Sequence, residues 1–292
     1  MSNFKQFRTI WTNKCKNTEY KSLSIWEDNV IVSSTNSEKI KLFNKENGKY
    51  IKNLKTKKKF FTLQDPQDEI VINDFLFITD NKQSMCSIYS MTDNIPVAIF
   101  GFKNLENPKG LTGYYNENKY YLYIIDDKTN NIIKYIINIE NNQITNLESE
   151  LFIKLEYTKI ESILIDFELK KILAYSSTDS KIIVFNMNGQ KINEIMGEAE
   201  SIVIYKEYYL FTDKSIDSNM IHLYDRNTLT YNSSFFNGNV KFINDVYVSN
   251  DEIFIIDNKC SLSKINLELE TSTNSNFLLS ATICFILYKM LS

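Results

Sequence analysis

The sequence predicts an all-β chain, and three observations carry that reading. No stretch of the 292 residues holds a helical period for long. Short β-branched and aromatic runs recur instead, among them "NVIVSST", "KIKLFN", "FLFITD", "YYLYIIDD", "KIIVFN" and "EIFIIDN". Each is bounded by Asn, Asp, Ser or Lys, so it fits a strand between turns better than a helix. The third observation is turn chemistry. "ENGK" (Glu46 to Lys49) and "MNGQ" (Met187 to Gln190) are Asn-Gly hairpin signals, and Asn elsewhere fills turns in a chain with only seven Gly.

The strands repeat. "KSLSIWEDNVIVSSTNSEKIKLFNKENGKYIKNL" from Lys21 overlays "ESILIDFELKKILAYSSTDSKIIVFNMNGQKINEI" from Glu161, strand for strand and turn for turn. The frame returns from Asp68, Lys109, Glu200 and Asp245, with successive starts 47, 41, 52, 39 and 45 residues apart. Six units, each a four-stranded meander, predict a six-bladed β-propeller of four-stranded antiparallel blades. A large sandwich is the other architecture these strands allow, but it does not explain the regular repeat. Phe4 to Lys14 or the C-terminal tail supplies the strand that closes the ring. One propeller domain is expected over residues 1–270, followed over 271–292 by a polar spacer and a short hydrophobic tail.

The first strand of each blade lines the axial channel of a propeller. The residues opening the units are therefore expected to form a ring of Lys21, Asp68, Lys109, Glu161, Glu200 and Asp245, with Glu198 nearby. Carboxylates so close raise one another's pKa unless a cation neutralises them. Two arrangements satisfy them: a hard oxygen-preferring cation such as Ca²⁺, or ion pairs with Lys21 and Lys109.

Composition removes several function classes. Lys and Arg number 33 against 36 Asp and Glu, a formal net charge of -3, without the basic face of a nucleic-acid binder. The basic cluster "KTKKKFF" (Lys55 to Phe61) reads as a solvated loop. Cys15, Cys86, Cys260 and Cys284 form no C-x-x-C pair, which excludes zinc-knuckle and redox motifs. His222 is the lone histidine and sits in an alternating strand, where a half-buried structural role is expected rather than catalysis. Tyr114, Tyr115 and Tyr208 are candidates for a recognition surface, although strand aromatics more often pack in the core. No secretory signal is visible, and the apolar stretch Phe277 to Tyr288 is shorter than a spanning helix. A closing strand, a weak membrane contact or the tail of a lipid-anchor signal preceded by "TSTNSN" are the readings it allows, and the missing secretory signal counts against the last. The location expected is cytoplasmic or peripheral to a membrane, and the chain is expected to be a monomer.

"ESILIDFELKKILAYSSTDSKIIVFN", "EAESIVIYKEYYLFTDKSIDSNMIHLYDRNTL" and "INDVYV" resemble consecutive blades of the phytase-like β-propellers, and "SIWEDNVIVSSTNSEKIKLFNKENGK" resembles that family's first blade. The likeness runs from Lys21 to about Asn250. It implies several Ca²⁺ ions in the channel and hydrolysis of phosphate monoesters such as phytate, the 3-phytase reaction. By the same resemblance Glu161, Glu200 and Asp245 match calcium ligands, and Glu198 matches one by type. The family's phosphate clamp is replaced: Ser37 and Glu38 stand where it has a Lys pair, leaving Lys39 close by. Ser176 and Ser177 stand for its acidic pair, Lys21 and Ser22 for the acids before Ile-Trp, and Lys82 for an Arg. Lys39, Lys82, Lys21 and Lys109 are the substitute phosphate contacts. The expected function is thus a calcium-binding phytase-like propeller with an eroded clamp, its partner a phosphorylated small molecule. The alternatives are a non-catalytic propeller scaffold with a protein or ligand partner, and a sugar-ring or lactone hydrolase.

Overall fold

The computed structural model describes residues 4–14, 19–34, 39–54, 63–156, 159–213, 220–236, 242–258 and 261–269. The hydrophobic tail, the Lys55 to Phe61 cluster, Ser37, Glu38, Cys15, Cys260 and Cys284 lie outside them.

The strands form six antiparallel four-stranded sheets. β1 (Phe4–Lys14) is the outermost strand of the last blade. Blade one is β2 (Tyr20–Trp26), β3 (Asn29–Ser34), β4 (Lys39–Asn44) and β5 (Tyr50–Asn53). Blade two is β6 (Pro66–Ile72), β7 (Phe75–Asp80), β8 (Met85–Ser90) and β9 (Ile95–Phe100). Blade three is β10 (Pro108–Asn116), β11 (Lys119–Asp126), β12 (Asn131–Glu140) and β13 (Gln143–Lys154). Blade four is β14 (Ile160–Asp166), β15 (Lys171–Ser176), β16 (Lys181–Asn186) and β17 (Lys191–Met196). Blade five is β18 (Ile202–Tyr205), β19 (Tyr208–Thr212), β20 (Met220–Asp225) and β21 (Tyr231–Phe236). Blade six is β22 (Ile243–Ser249), β23 (Glu252–Asp257) and β24 (Ser261–Leu269), completed by β1, which pairs antiparallel with β24 from Phe4↔Leu269 to Lys14↔Ser261. The chain is a six-bladed β-propeller, closed by its first strand as one of the two expected routes required.

The core lies in the seams between blades. Ile31, Ile40 and Leu42 of blade one, for example, pack on Leu76, Ile78 and Tyr89 of blade two. Both faces of a blade are covered, so the middle strands read as apolar runs rather than strict alternations. "NVIVSS" and "MCSIYS" are buried nearly end to end, Cys86 with them.

Both Asn-Gly signals mark hairpins, though longer ones than a two-residue turn. β4 and β5 are joined across residues 45–49, β16 and β17 across 187–190. Only the Gly takes a left-handed conformation, φ +68° at Gly48 and +77° at Gly189. The preceding Asn side chains hold the loops: Asn44 Oδ1 accepts from the Glu46 and Asn47 amides, and Asn186 Oδ1 from those of Asn188 and Gln190.

Candidate functional site

The six inner strands converge on an axial cavity of about 160 Å³. Lys21, Asp68, Lys109, Glu161, Glu200 and Asp245 all line it, so the repeat places its opening residues on the channel wall. They form two tiers rather than one ring. Inner strands end at their hairpins on Trp26, Ile72, Asp166, Tyr205 and Ser249. Four residues back stand Ser22, Asp68, Ser162, Ser201 and Asp245. One residue further out stand Lys21, Gln67, Glu161, Glu200 and Asn244. Blade three has a longer inner hairpin, and Gly110 and Lys109 take the two places. Asp68 and Asp245 are therefore one step deeper than Glu161 and Glu200.

The deeper tier staples five of the six blades to the next. Asp245 Oδ2 accepts the Leu23 amide at 2.9 Å, and Asp68 Oδ2 accepts the Leu111 amide at 2.7 Å. Ser22 and Ser201 accept more weakly, from the Glu69 amide at 3.2 Å and the Val246 amide at 3.4 Å. Ser162 donates instead to the Ala199 carbonyl at 3.0 Å. These bonds use backbone groups that the start of each inner strand leaves unpaired, where the ladder to the second strand slips in five blades.

Asp245 is fully occupied. Its Oδ1 accepts from Ser201 Oγ at 2.6 Å and the Val246 amide at 2.8 Å, and its Oδ2 from Leu23 and from Ser22 Oγ at 3.1 Å. That matches the roughly four acceptor sites of an ionised carboxylate. Ser22 Oγ also lies 2.8 Å from Asp68 Oδ1, so its one proton is shared between the two acids and serves one of them at a time. Burial, then the nearby charge of Asp245, pushes the Asp68 carboxyl well above its ordinary range. Burial pushes Asp245 up too, against the hydrogen bonds that pull it down.

The other expected site residues are dispersed. Glu161 accepts from Lys109 Nζ at 3.3 Å and Ser177 Oγ at 3.2 Å, while Lys109 also pairs with Asp127 at 3.0 Å. Glu198 is off the channel wall and holds the Tyr175 hydroxyl and Ser180 Oγ. Lys39 and Lys82 are exposed beside the turns between second and third strands, on the rim where inner strands begin, and neither lines the cavity. Among the described residues no three His, Cys, Asp or Glu side chains converge in a way that could hold a metal ion. Of the four expected ligands, Asp245 is held by neighbouring blades, Glu161 pairs with Lys109, Glu198 bonds Tyr175 and Ser180, and Glu200 lines the cavity.

His222 is half-buried, its Nδ1 2.6 Å from Ser234 Oγ. Tyr208 is in the core, Tyr114 stacks on Tyr121 at 4.9 Å, and Tyr115 is exposed. The Asp and Arg of the "YDR" and "ESILID" motifs meet across blades: Arg226 grips buried Asp166 through Nε at 3.0 Å and Nη2 at 2.8 Å, and Tyr209 donates to the same carboxylate at 2.7 Å. Sequence reasoning missed Ser22, Ser201 and Glu69. The signal available for the serines was the recurrence of "KSL", "ESI" and "ESI" at the start of three units.

Fold and channel thus define a β-propeller whose inner wall is a collar of inter-blade hydrogen bonds. Among the solved chains it resembles is one from a structure titled "Crystal structure of Nidogen/Laminin Complex", with TM-score 0.59 and 12% sequence identity. The match covers 76% of this chain and 82% of that one. No family model and no curated protein matches the sequence.

Proposed function

We propose that the chain is a non-catalytic β-propeller scaffold, in which the channel acids bind the blades together and the outer surface engages a protein or ligand. The observation that carries this is the filling of Asp245 by four donors from three blades. A carboxylate spent in that way is committed to holding the blades together. The similar propeller found in a nidogen/laminin complex is consistent with the same use of the fold.

A calcium-dependent phosphomonoesterase is the second reading, favoured by the presence of Lys21 and Lys109 on the same wall as Glu161, Glu200 and Asp245. Phosphate release from phytate and p-nitrophenyl phosphate, with Ca²⁺ and with EGTA, separates the two. The scaffold reading expects no turnover above buffer in either condition. EGTA-sensitive release overturns it.

A further inference from the structure

Counting back three residues from the inner hairpin gives the position that faces the preceding blade. Leu23, Ile163, Ile202 and Val246 occupy it, with Leu111 in the longer blade three, and all are buried. Blade two alone has a carboxylate there, Glu69, only 4% exposed. An acid in a row of buried aliphatic residues is costly unless something answers its charge.

Among the described residues no cation or hydrogen-bond donor does so. Among the described residues neither Glu69 carboxylate oxygen has a hydrogen-bond partner. Facing it from blade one are Ser24 and Ser33, both fully buried, whose hydroxyls are also without partners. Burial pushes the Glu69 carboxyl well above its ordinary range, and the two nearby hydroxyls only partly offset that without closing a hydrogen bond to it. Four orphaned oxygens therefore share one seam, which meets the axial cavity at Glu69. Buried polar atoms left without partners mark the place of a missing water or ion.

We propose that Glu69, with the hydroxyls of Ser24 and Ser33, binds one monovalent cation of the sodium class between blades one and two. The ligands are all oxygen, which selects a hard cation. Charge selects a monovalent one. Among the described residues Glu69 is the carboxylate at this seam whose two oxygens both lack a partner, since Asp245 accepts from Leu23, Ser201 and Val246 and Asp68 from the amides of Glu69 and Leu111. A divalent ion would want a second free carboxylate. Water completes the coordination from the cavity. This site belongs to the scaffold reading of the channel, yet it has its own readout, because it concerns stability and not turnover.

The test is thermal melting of the full chain in sodium, potassium or N-methylglucamine chloride at one ionic strength, at pH 6 and pH 8.5. Alkali cations are expected to raise Tm over N-methylglucamine by roughly 2–5 °C at tenfold excess over the dissociation constant. The rise is larger at pH 8.5, because proton and cation compete for Glu69; the other ionisable groups lining this cavity are Lys21, Asp68, Lys109, Glu161, Glu200, Asp245 and Tyr247. Glu69→Gln abolishes the rise, and Ser33→Ala, which removes only an orphaned hydroxyl, reduces it while preserving the fold. Equal Tm in all three salts overturns the proposal and leaves Glu69 as a buried neutral acid. Stabilisation by micromolar Ca²⁺ but not by alkali ions also overturns it. Phosphatase activity, if found, would sink the scaffold reading and leave this result standing.

Discussion

Asp245 accepts the backbone amide of Leu23 at 2.9 Å across the seam where the sixth blade meets the first. The bond joins residues 222 positions apart. It closes the inner wall of the ring just as β1 on β24 closes the outer one.

Removing that carboxylate should loosen the closure. Asp245→Ala orphans the Leu23 amide and takes a partner from Ser22, Ser201 and Val246. A loss of about 2–3 kcal/mol is expected in urea unfolding, from buried donors left unpaired. A midpoint indistinguishable from the parent would show that the staple contributes nothing.

The acid pair makes stability depend on pH in an uncommon direction. The folded pKa of Asp68 is raised to about 7 and that of Asp245 to about 6, from 3.8. A raised carboxyl pKa means that the folded state holds its proton more tightly than the unfolded chain. The resulting stability is full below pH ~4 and is lost as pH rises through 6 and 7. In sodium-free buffer of fixed ionic strength, Tm should fall between pH 5 and pH 8. Asp68→Asn, a permanently neutral mimic, should flatten that slope, and an unchanged slope would remove the pair as its source.

Arg226 and Asp166 work the other way. Burial pushes the Asp166 carboxyl up, but Arg226, the Leu169 amide and the Tyr209 hydroxyl more than reverse it, so its pKa is lowered. Its stabilisation is present above the unfolded pKa and is lost as pH falls through the folded value. Arg226→Ala strands a carboxylate that is 1% exposed and should cost about 3–5 kcal/mol. Asp166→Asn with Arg226→Met should recover much of that loss. A mild effect of the single substitution would show that the pair is dispensable.

Deleting residues 1–14 removes the fourth strand of blade six together with its anchors, Trp11 Nε1 to the Lys45 carbonyl and Asn13 Nδ2 to the Gly48 carbonyl. β24 then becomes an open edge, which invites pairing between chains. The shortened chain should elute as oligomers and lose its cooperative melt. A monomer with the parent Tm would refute closure by β1.

Much of the fold was legible because local chemistry sets it. Runs such as "FLFITD" and "EIFIIDN" are strands wherever they fall, and the spacing of their turns counts the blades. The tiers of the channel were not legible. Asp68 and Glu161 both open a repeat, yet counted from the inner hairpin Asp68 is equivalent to Ser162, one register position on from Glu161. In a structure with period two, one residue reverses the face a side chain points to.

By itself the sequence determined the strands, their meander, the sixfold repeat and the strand able to close the ring, since propensity, turn residues and spacing are properties of the chain. Only the tertiary structure decided what the acids do. Whether a carboxylate holds a neighbour's amide, as Asp245 does, pairs with a lysine, as Glu161 does, or lies orphaned in a seam, as Glu69 does, depends on which blade stands opposite. That is fixed by packing between segments far apart in the chain.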